Sequence, residues 1–148
     1  MKKQPTLRER ALRLLVRREH SRSELAAKLG AHSPPADELE ALLEDLSKRK
    51  HLSDERYAES RAHVLSRKFG AARIARELRA KGLDKGLAER ASETARSTEV
   101  ERARAVWLRK FRTAPATREE RAKQMRFLQS RGFSFDAIRA VIQGADED

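Results

Sequence analysis

The 148-residue chain has no cysteine, which excludes disulfides and thiolate metal ligands. Aromatic residues are few, with one Trp, one Tyr and five Phe. β-Branched residues are sparse and no alternating apolar–polar run survives, so strands are not expected. No stretch approaches the ~20 apolar residues of a membrane span. The start, Met1-Lys2-Lys3-Gln4-Pro5, leads into a basic amphipathic segment rather than an apolar one, so a secretory signal is not expected and the expected compartment is the cytoplasm. No phosphate-binding glycine loop, nucleophile elbow or dinucleotide fingerprint occurs. His20, His32, His51 and His63 are scattered without metal-ligand spacing, and His20 and His51 read as surface residues at helix ends. Neighbouring acids such as Glu44 with Asp45, or Asp54 with Glu55, diverge on a helix instead of converging. Neither catalysis, a metal nor a cofactor is expected.

What the chain does have is positive charge and a repeat. Lys and Arg number 34 against 23 Asp and Glu, a formal net charge of +11. Such an excess favours a polyanionic partner and predicts salt-sensitive binding. A helical pattern ending in leucine, a basic residue and glycine recurs as Glu24-Leu25-Ala26-Ala27-Lys28-Leu29-Gly30, Glu77-Leu78-Arg79-Ala80-Lys81-Gly82-Leu83 and Phe127-Leu128-Gln129-Ser130-Arg131-Gly132-Phe133. The leucines Leu25, Leu78 and Leu128 stand 53 and 50 residues apart. That period makes the chain three copies of one small unit. So small a unit buries only ~60% of its unfolded surface, so each copy leans on its neighbour.

Apolar spacing and caps divide each copy into three helices. In the first, Leu7, Ala11, Leu14 and Leu15 share a face to about Arg18. Ser21 with Glu24 starts a second helix that Gly30 closes, and Ser33-Pro34-Pro35 leads to a third carrying Leu39, Leu42, Leu43 and Leu46. In the second copy, Ser53 caps a helix lined by Tyr57, Ala58, Val64 and Leu65, Ile74 and Leu78 anchor the next up to Gly82, and Asp84 caps a third. In the last, Thr98 with Glu101, Thr117 with Glu120, and Ser134 begin the three helices. The expected architecture is all-α, an elongated, curved array of three tandem three-helix repeats over residues 1–50, 51–96 and 97–148, the last with a short acidic tail.

The charge is unevenly spread. Residues 61–83 carry seven basic side chains against Glu77 alone, and residues 102–131 carry ten against Glu119 and Glu120. Residues 36–55 reverse this, with seven acids and three bases. Arg73, Arg76 and Arg79 recur every third residue as one inclined ridge, whose guanidinium forks suit phosphate oxygens. Arg109, Lys110 and Arg112 flank Phe111, which either closes the core or stacks on a base. Trp107, one turn from Ala103 and Phe111, reads as core. The run from Glu24 to Gly30 imitates a helix-turn-helix, but the helix after it carries Asp37, Glu38, Glu40, Glu44 and Asp45, which would repel DNA phosphates.

Three motifs in order carry a resemblance: Leu52-x-Asp54-Glu55-Arg56-Tyr57-Ala58, then Gly70-x-x-Arg73-Ile74-x-x-Glu77-Leu78-x-x-Lys81-Gly82-Leu83, then Arg126-Phe127-Leu128-x-x-Arg131-Gly132-Phe133-Ser134-x-Asp136-x-Ile138. They resemble the signatures of the bacterial regulatory RecX family from about Leu7 to Ile142. The resemblance implies a non-enzymatic regulator of homologous recombination, DNA repair and the SOS response. Its implied partner is the RecA recombinase filament on single-stranded DNA, with weaker binding to double-stranded DNA. It implies restraint of filament extension, ATPase, strand exchange and coprotease activity. An alternative is a non-specific single-stranded DNA-binding protein that competes for the strand. The expected contact residues are Arg67, Lys68, Arg73, Arg76, Arg79, Lys81, Arg109, Lys110, Arg112, Lys123, Arg126 and Arg131, on a monomer.

Overall fold

In the computed structural model, which describes residues 3–147, the described residues form nine α-helices and no strand. They are α1 (Leu7–Arg17), α2 (Arg22–Gly30), α3 (Ala36–Lys48), α4 (Asp54–Leu65), α5 (Ala71–Ala80), α6 (Lys85–Arg96), α7 (Glu99–Lys110), α8 (Arg118–Ser130) and α9 (Phe135–Glu147). Each successive trio closes on its own apolar cluster. Leu25, Leu29, Leu43 and Leu46 centre the first; Ile74, Leu78 and Ala88 the second; Trp107, Leu128, Val141 and Ile142 the third. All the substantial helix–helix packing lies within a trio. The accessible surface is 9993 Å² for 16.9 kDa, against about 7,700 Å² for a compact monomer of that mass. The excess surface is that of an elongated array whose cores are thin.

The leucine–cation–glycine signature has a specific backbone meaning in two of its copies. At the end of α5, Gly82 N–H bonds Arg79 O at 3.0 Å and Leu83 N–H reaches back to Leu78 O at 3.3 Å. At the end of α8, Gly132 N–H bonds Gln129 O at 2.9 Å and Phe133 N–H bonds Leu128 O at 3.3 Å. These are Schellman closures: the leucine sits three residues inside the end, the cation occupies the cap and glycine takes the left-handed position, at φ +87° and +85°. The residue after the glycine, Leu83 or Phe133, then folds back into the core. The first copy differs. Gly30 is the last helical residue of α2, and the chain turns on through Ala31 to Ser33, which holds φ +52°. The same closure instead ends α3, with Lys50 at φ +64° in the glycine position.

The joints between trios repeat as well. The first residue of α4, Asp54, accepts the N–H of Arg22, the first residue of α2, at 2.7 Å. The first residue of α7, Glu99, accepts the N–H of Ala71, the first residue of α5, at 2.8 Å. Each acid thus caps the middle helix of the preceding trio, where the dipole favours negative charge. Glu99 does more: its other oxygen accepts Ser134 N–H at 3.3 Å, ahead of α9, and the residue is 6% exposed. A nearby arginine answers at the carbonyl ends. Arg56 donates to Lys50 O at 2.8 Å and to Glu19 at 2.8 Å. Arg102 donates to Ser66 O at 2.8 Å, and to Phe69 O and Ala95 O. Burial pushes the Arg102 guanidinium below its ordinary value, which Glu99 partly opposes.

The Thr98–Glu101 capping pair expected from the sequence does not form. Thr98 makes no side-chain cap, and its hydroxyl accepts from Arg102 Nε at 3.0 Å. At the second joint the backbones meet directly. Gly70 N–H donates to Arg131 O at 2.8 Å, and a Cβ on Gly70 would lie 2.4 Å from Gly132 O.

Candidate anion-binding interface

The second joint gathers cations that lie far apart in sequence. The turn after α4 supplies Arg67 and Lys68, the end of α7 supplies Arg109 and Lys110, and the cap of α8 supplies Arg131. With Val106 and Phe127 they line a groove of about 240 Å³ to which no carboxylate contributes. Two phenylalanines hold the arrangement together. Arg73 lies 4.1 Å from the Phe69 ring centroid, Arg131 lies 5.6 Å from Phe69 and 5.1 Å from Phe127, and Lys110 lies 5.6 Å from Phe127. Cation and ring therefore alternate from Arg73 to Lys110. A cation over a ring face gains about 0.5–2 kcal/mol. Unlike a carboxylate, the ring carries no net charge, so Arg131 and Lys110 keep their full charge for an external anion.

The other expected contact residues are distributed differently. Arg73 is half-buried, donates to Ser130 O at 2.9 Å and stands 3.6 Å from Glu77. It belongs to the joint, leaving Arg76 and Arg79 as the exposed part of the α5 ridge. Lys123 and Arg126 are exposed one turn apart on α8, and Arg112 is exposed just past α7 with φ +65°. Lys81 lines a separate groove of about 440 Å³ at the first joint, with Arg18, Glu19, Glu24, Tyr57, Ser60, Arg61 and Val64.

These two grooves are counterparts. Each is built from the turn after the first helix of one trio, the first helix of the next, and the cation capping that trio's middle helix. Their electrostatics diverge. At the first joint Arg18 is held bidentately by Glu24 at 2.9 and 2.7 Å, which raises the pKa of Arg18 and lowers that of Glu24. Glu19 engages Arg56. The first groove mixes three cations with two carboxylates, and the second is cationic throughout.

Trp107 lies in the core as expected, 5% exposed, with Nε1 donating to Gln124 at 2.8 Å. Phe111 is half-buried and meets Phe127 edge-on, with centroids 5.4 Å apart. His20, expected at the surface, is buried at 1% exposure. Its Nδ1 lies 3.0 Å from Arg18 O and its Nε2 3.0 Å from Lys28 Nζ. A carbonyl only accepts and an ammonium only donates, so Nδ1 carries the proton and Nε2 accepts. The ring is thus absorbed in tying α2 to the turn after α1. Among the described residues no cluster of His, Cys, Asp and Glu could hold a metal ion, and no helix is long and apolar enough to cross a membrane.

Sequence reasoning picked out the groove cations but missed Phe69, Glu99 and Arg102. Phe69 and Phe127 did leave a local signal, since each directly follows a cation, Lys68 or Arg126.

Comparison with known proteins gives consistent matches. Family models described as "RecX, second three-helix domain" and "RecX, third three-helix domain" match residues 53–91 and 97–142. The chain is 47% identical over 145 residues to the regulatory protein RecX of Leptothrix cholodnii, covering 98% of this chain and 92% of that one. It is 46% identical to that of Herbaspirillum seropedicae over 97% of this chain and 94% of the relative, and 38% identical to that of Neisseria gonorrhoeae over 98% and 94%. The crystal structure of RecX from Lactobacillus salivarius shares the fold, with a TM-score of 0.85 at 24% identity over 96% of both chains.

Proposed function

We propose, from the premise that this chain belongs to the RecX family of regulatory proteins, that it restrains the RecA filament on single-stranded DNA. The observation that carries the reading is the acid-free groove of five cations at the second joint. Such a site suits a polyanion. In this reading a monomer seats the groove, with Arg76, Arg79, Lys123 and Arg126 flanking it, on the nucleoprotein filament. Bridging successive protomers opposes filament extension and, with it, ATP turnover, strand exchange and coprotease activity. Stiffness supports this role. The Gly70–Arg131 backbone contact and the Glu99 carboxylate fix the second trio against the third, so the groove's cations are held before the filament arrives. The first groove, of mixed charge, and the acidic α3 are left for the protein surface.

The test is RecA's DNA-dependent ATPase with the protein added below stoichiometry. Suppression of turnover and arrested filament growth are expected, and normal turnover with normal growth would refute the proposal. A salt titration separates this reading from simple competition for DNA. Binding to bare single strands loses affinity with a slope of about −0.7 per phosphate contact. Binding to the assembled filament is expected to be tighter and to tolerate salt better.

A further inference from the structure

We infer that the groove at the second joint receives a phosphodiester of single-stranded nucleic acid, with the guanidinium of Arg131 as its fork, rather than an acidic protein surface. This rests on the reading above and names the partner that the groove itself touches.

The two joints are built alike, so the first shows what the scaffold needs. There the equivalent groove includes Glu19 and Glu24 among its cations, and Arg18 is neutralised bidentately. The fold therefore tolerates carboxylates in this position. At the second joint five cations converge without one, and ring faces lie beside only two of them, Lys110 and Arg131. Such a site stands charged until an anion enters.

Arg131 is anchored through both its backbone and its side chain. Its carbonyl is fixed by Gly70 N–H, its backbone caps α8, and its guanidinium lies over both Phe69 and Phe127. Among the described residues it has no carboxylate partner. With ring neighbours instead of a carboxylate, the guanidinium N–H groups are left for an anion that can accept two of them at once. Lys68, Arg67, Arg109 and Lys110 then surround one compact, multiply accepting group. A groove of this size suits a strand's backbone, whose phosphates arrive singly and in file. A single carboxylate also fits such a fork, but it brings one charge to five cations, where a strand brings successive phosphates.

Phe127 and Val106 give the groove an apolar side beside the cations, a combination matched by a sugar-phosphate backbone with its attached base.

The experiment compares Arg131→Gln, Arg131→Lys and Phe127→Leu, with Arg13→Gln removing an exposed charge on α1 as control. Affinity for a fluorescent oligothymidylate is measured across a salt series, and suppression of RecA's ATPase in parallel; circular dichroism verifies folding. Arg131→Gln is expected to weaken oligothymidylate binding about tenfold or more and to lower the salt slope by about 0.7. Arg131→Lys keeps the slope but loses several-fold in affinity, because the fork is gone. Phe127→Leu loses affinity at unchanged net charge, and Arg13→Gln stays within about twofold. Unchanged oligothymidylate binding in Arg131→Gln overturns the inference. If ATPase suppression is lost in that variant all the same, the groove meets protein and the regulatory reading stands. If the wild type leaves the ATPase untouched while Arg131→Gln still loses the oligonucleotide, the regulatory reading falls and the phosphate site stands.

Discussion

Glu99 is the residue on which the second joint turns. Its carboxylate accepts Ala71 N–H at 2.8 Å and Ser134 N–H at 3.3 Å, so one side chain caps α5 in the second trio and precedes α9 in the third. Glu99→Ala removes both acceptors and leaves two N–H groups near helix starts without a partner. It also removes the acidic charge that opposes the desolvation of half-buried Arg102. One charge-assisted bond contributes about 1.5–3 kcal/mol. The longer second bond contributes less, so the expected loss is about 3–5 kcal/mol, in the range for breaking a buried charge pair. In a domain of typical stability, about 5–15 kcal/mol, this is a large share. The perturbation also acts on cooperativity, because in a repeat array each unit is coupled only to its neighbours. Urea unfolding followed by circular dichroism should therefore show a lower midpoint and a broadened or split transition, the third trio separating from the rest. Glu99→Gln, which keeps one acceptor, should lie between. A loss below about 1 kcal/mol with a single, equally steep transition would refute the idea that Glu99 couples the trios.

Three further outcomes are expected. Lys50 holds φ +64° at the glycine position of the closure that ends α3, so Lys50→Gly should relieve left-handed strain and stabilise by about 0.5–1 kcal/mol, seen as a higher melting temperature. Gly70→Ala would place its Cβ 2.4 Å from Gly132 O and should destabilise by about 2 kcal/mol or more, with loss of the sharp urea transition. The carboxyl of Glu24 is held below its ordinary 4.5 chiefly by its bond to Arg18. Its contribution is thus present above pH 4.5 and lost as pH falls through the lower folded value. Urea midpoints between pH 3 and 6 should show that limb flattened in Glu24→Gln.

Much of the trio plan was legible because it is local. Leucines at helical spacing, a cap residue three positions before its N–H, and the leucine–cation–glycine closure all operate within one or two turns. Leu78 with Gly82 and Leu128 with Gly132 delivered the helix ends they announced. Gly30 also ends α2, but as its last helical residue and without the left-handed closure, because it lies five residues beyond Leu25 where the other two glycines lie four beyond theirs. The joints were illegible for the opposite reason. Glu99 acts on Ala71 and Ser134, 28 and 35 positions away, and beside it the spacing of Thr98 and Glu101 offered a plausible local pattern that the tertiary bond to Arg102 displaced. Likewise the three-residue spacing of Arg73, Arg76 and Arg79 describes one helix correctly. It is silent about Ser130 and Phe69, which draw Arg73 out of the ridge and into the joint.

Because the groove takes cations from both trios, its occupancy and the integrity of the joint must be linked. Arg67 and Lys68 belong to the second trio, and Arg109, Lys110 and Arg131 to the third. An anion touching both sets binds the joined state better than the parted one, and the coupling is reciprocal. Saturating ligand at a hundred times its Kd adds about 2.7 kcal/mol to the state it binds. That is close to the lower bound of the loss expected for Glu99→Ala, so oligothymidylate should largely restore a single unfolding transition to that variant. Conversely, whatever fraction of the variant is parted should reduce its apparent affinity in proportion. Should Glu99→Ala bind oligothymidylate as the wild type does, and gain no cooperativity from it, the strand would be resting on one trio alone. A rigid joint would then have no part in holding the cations ready.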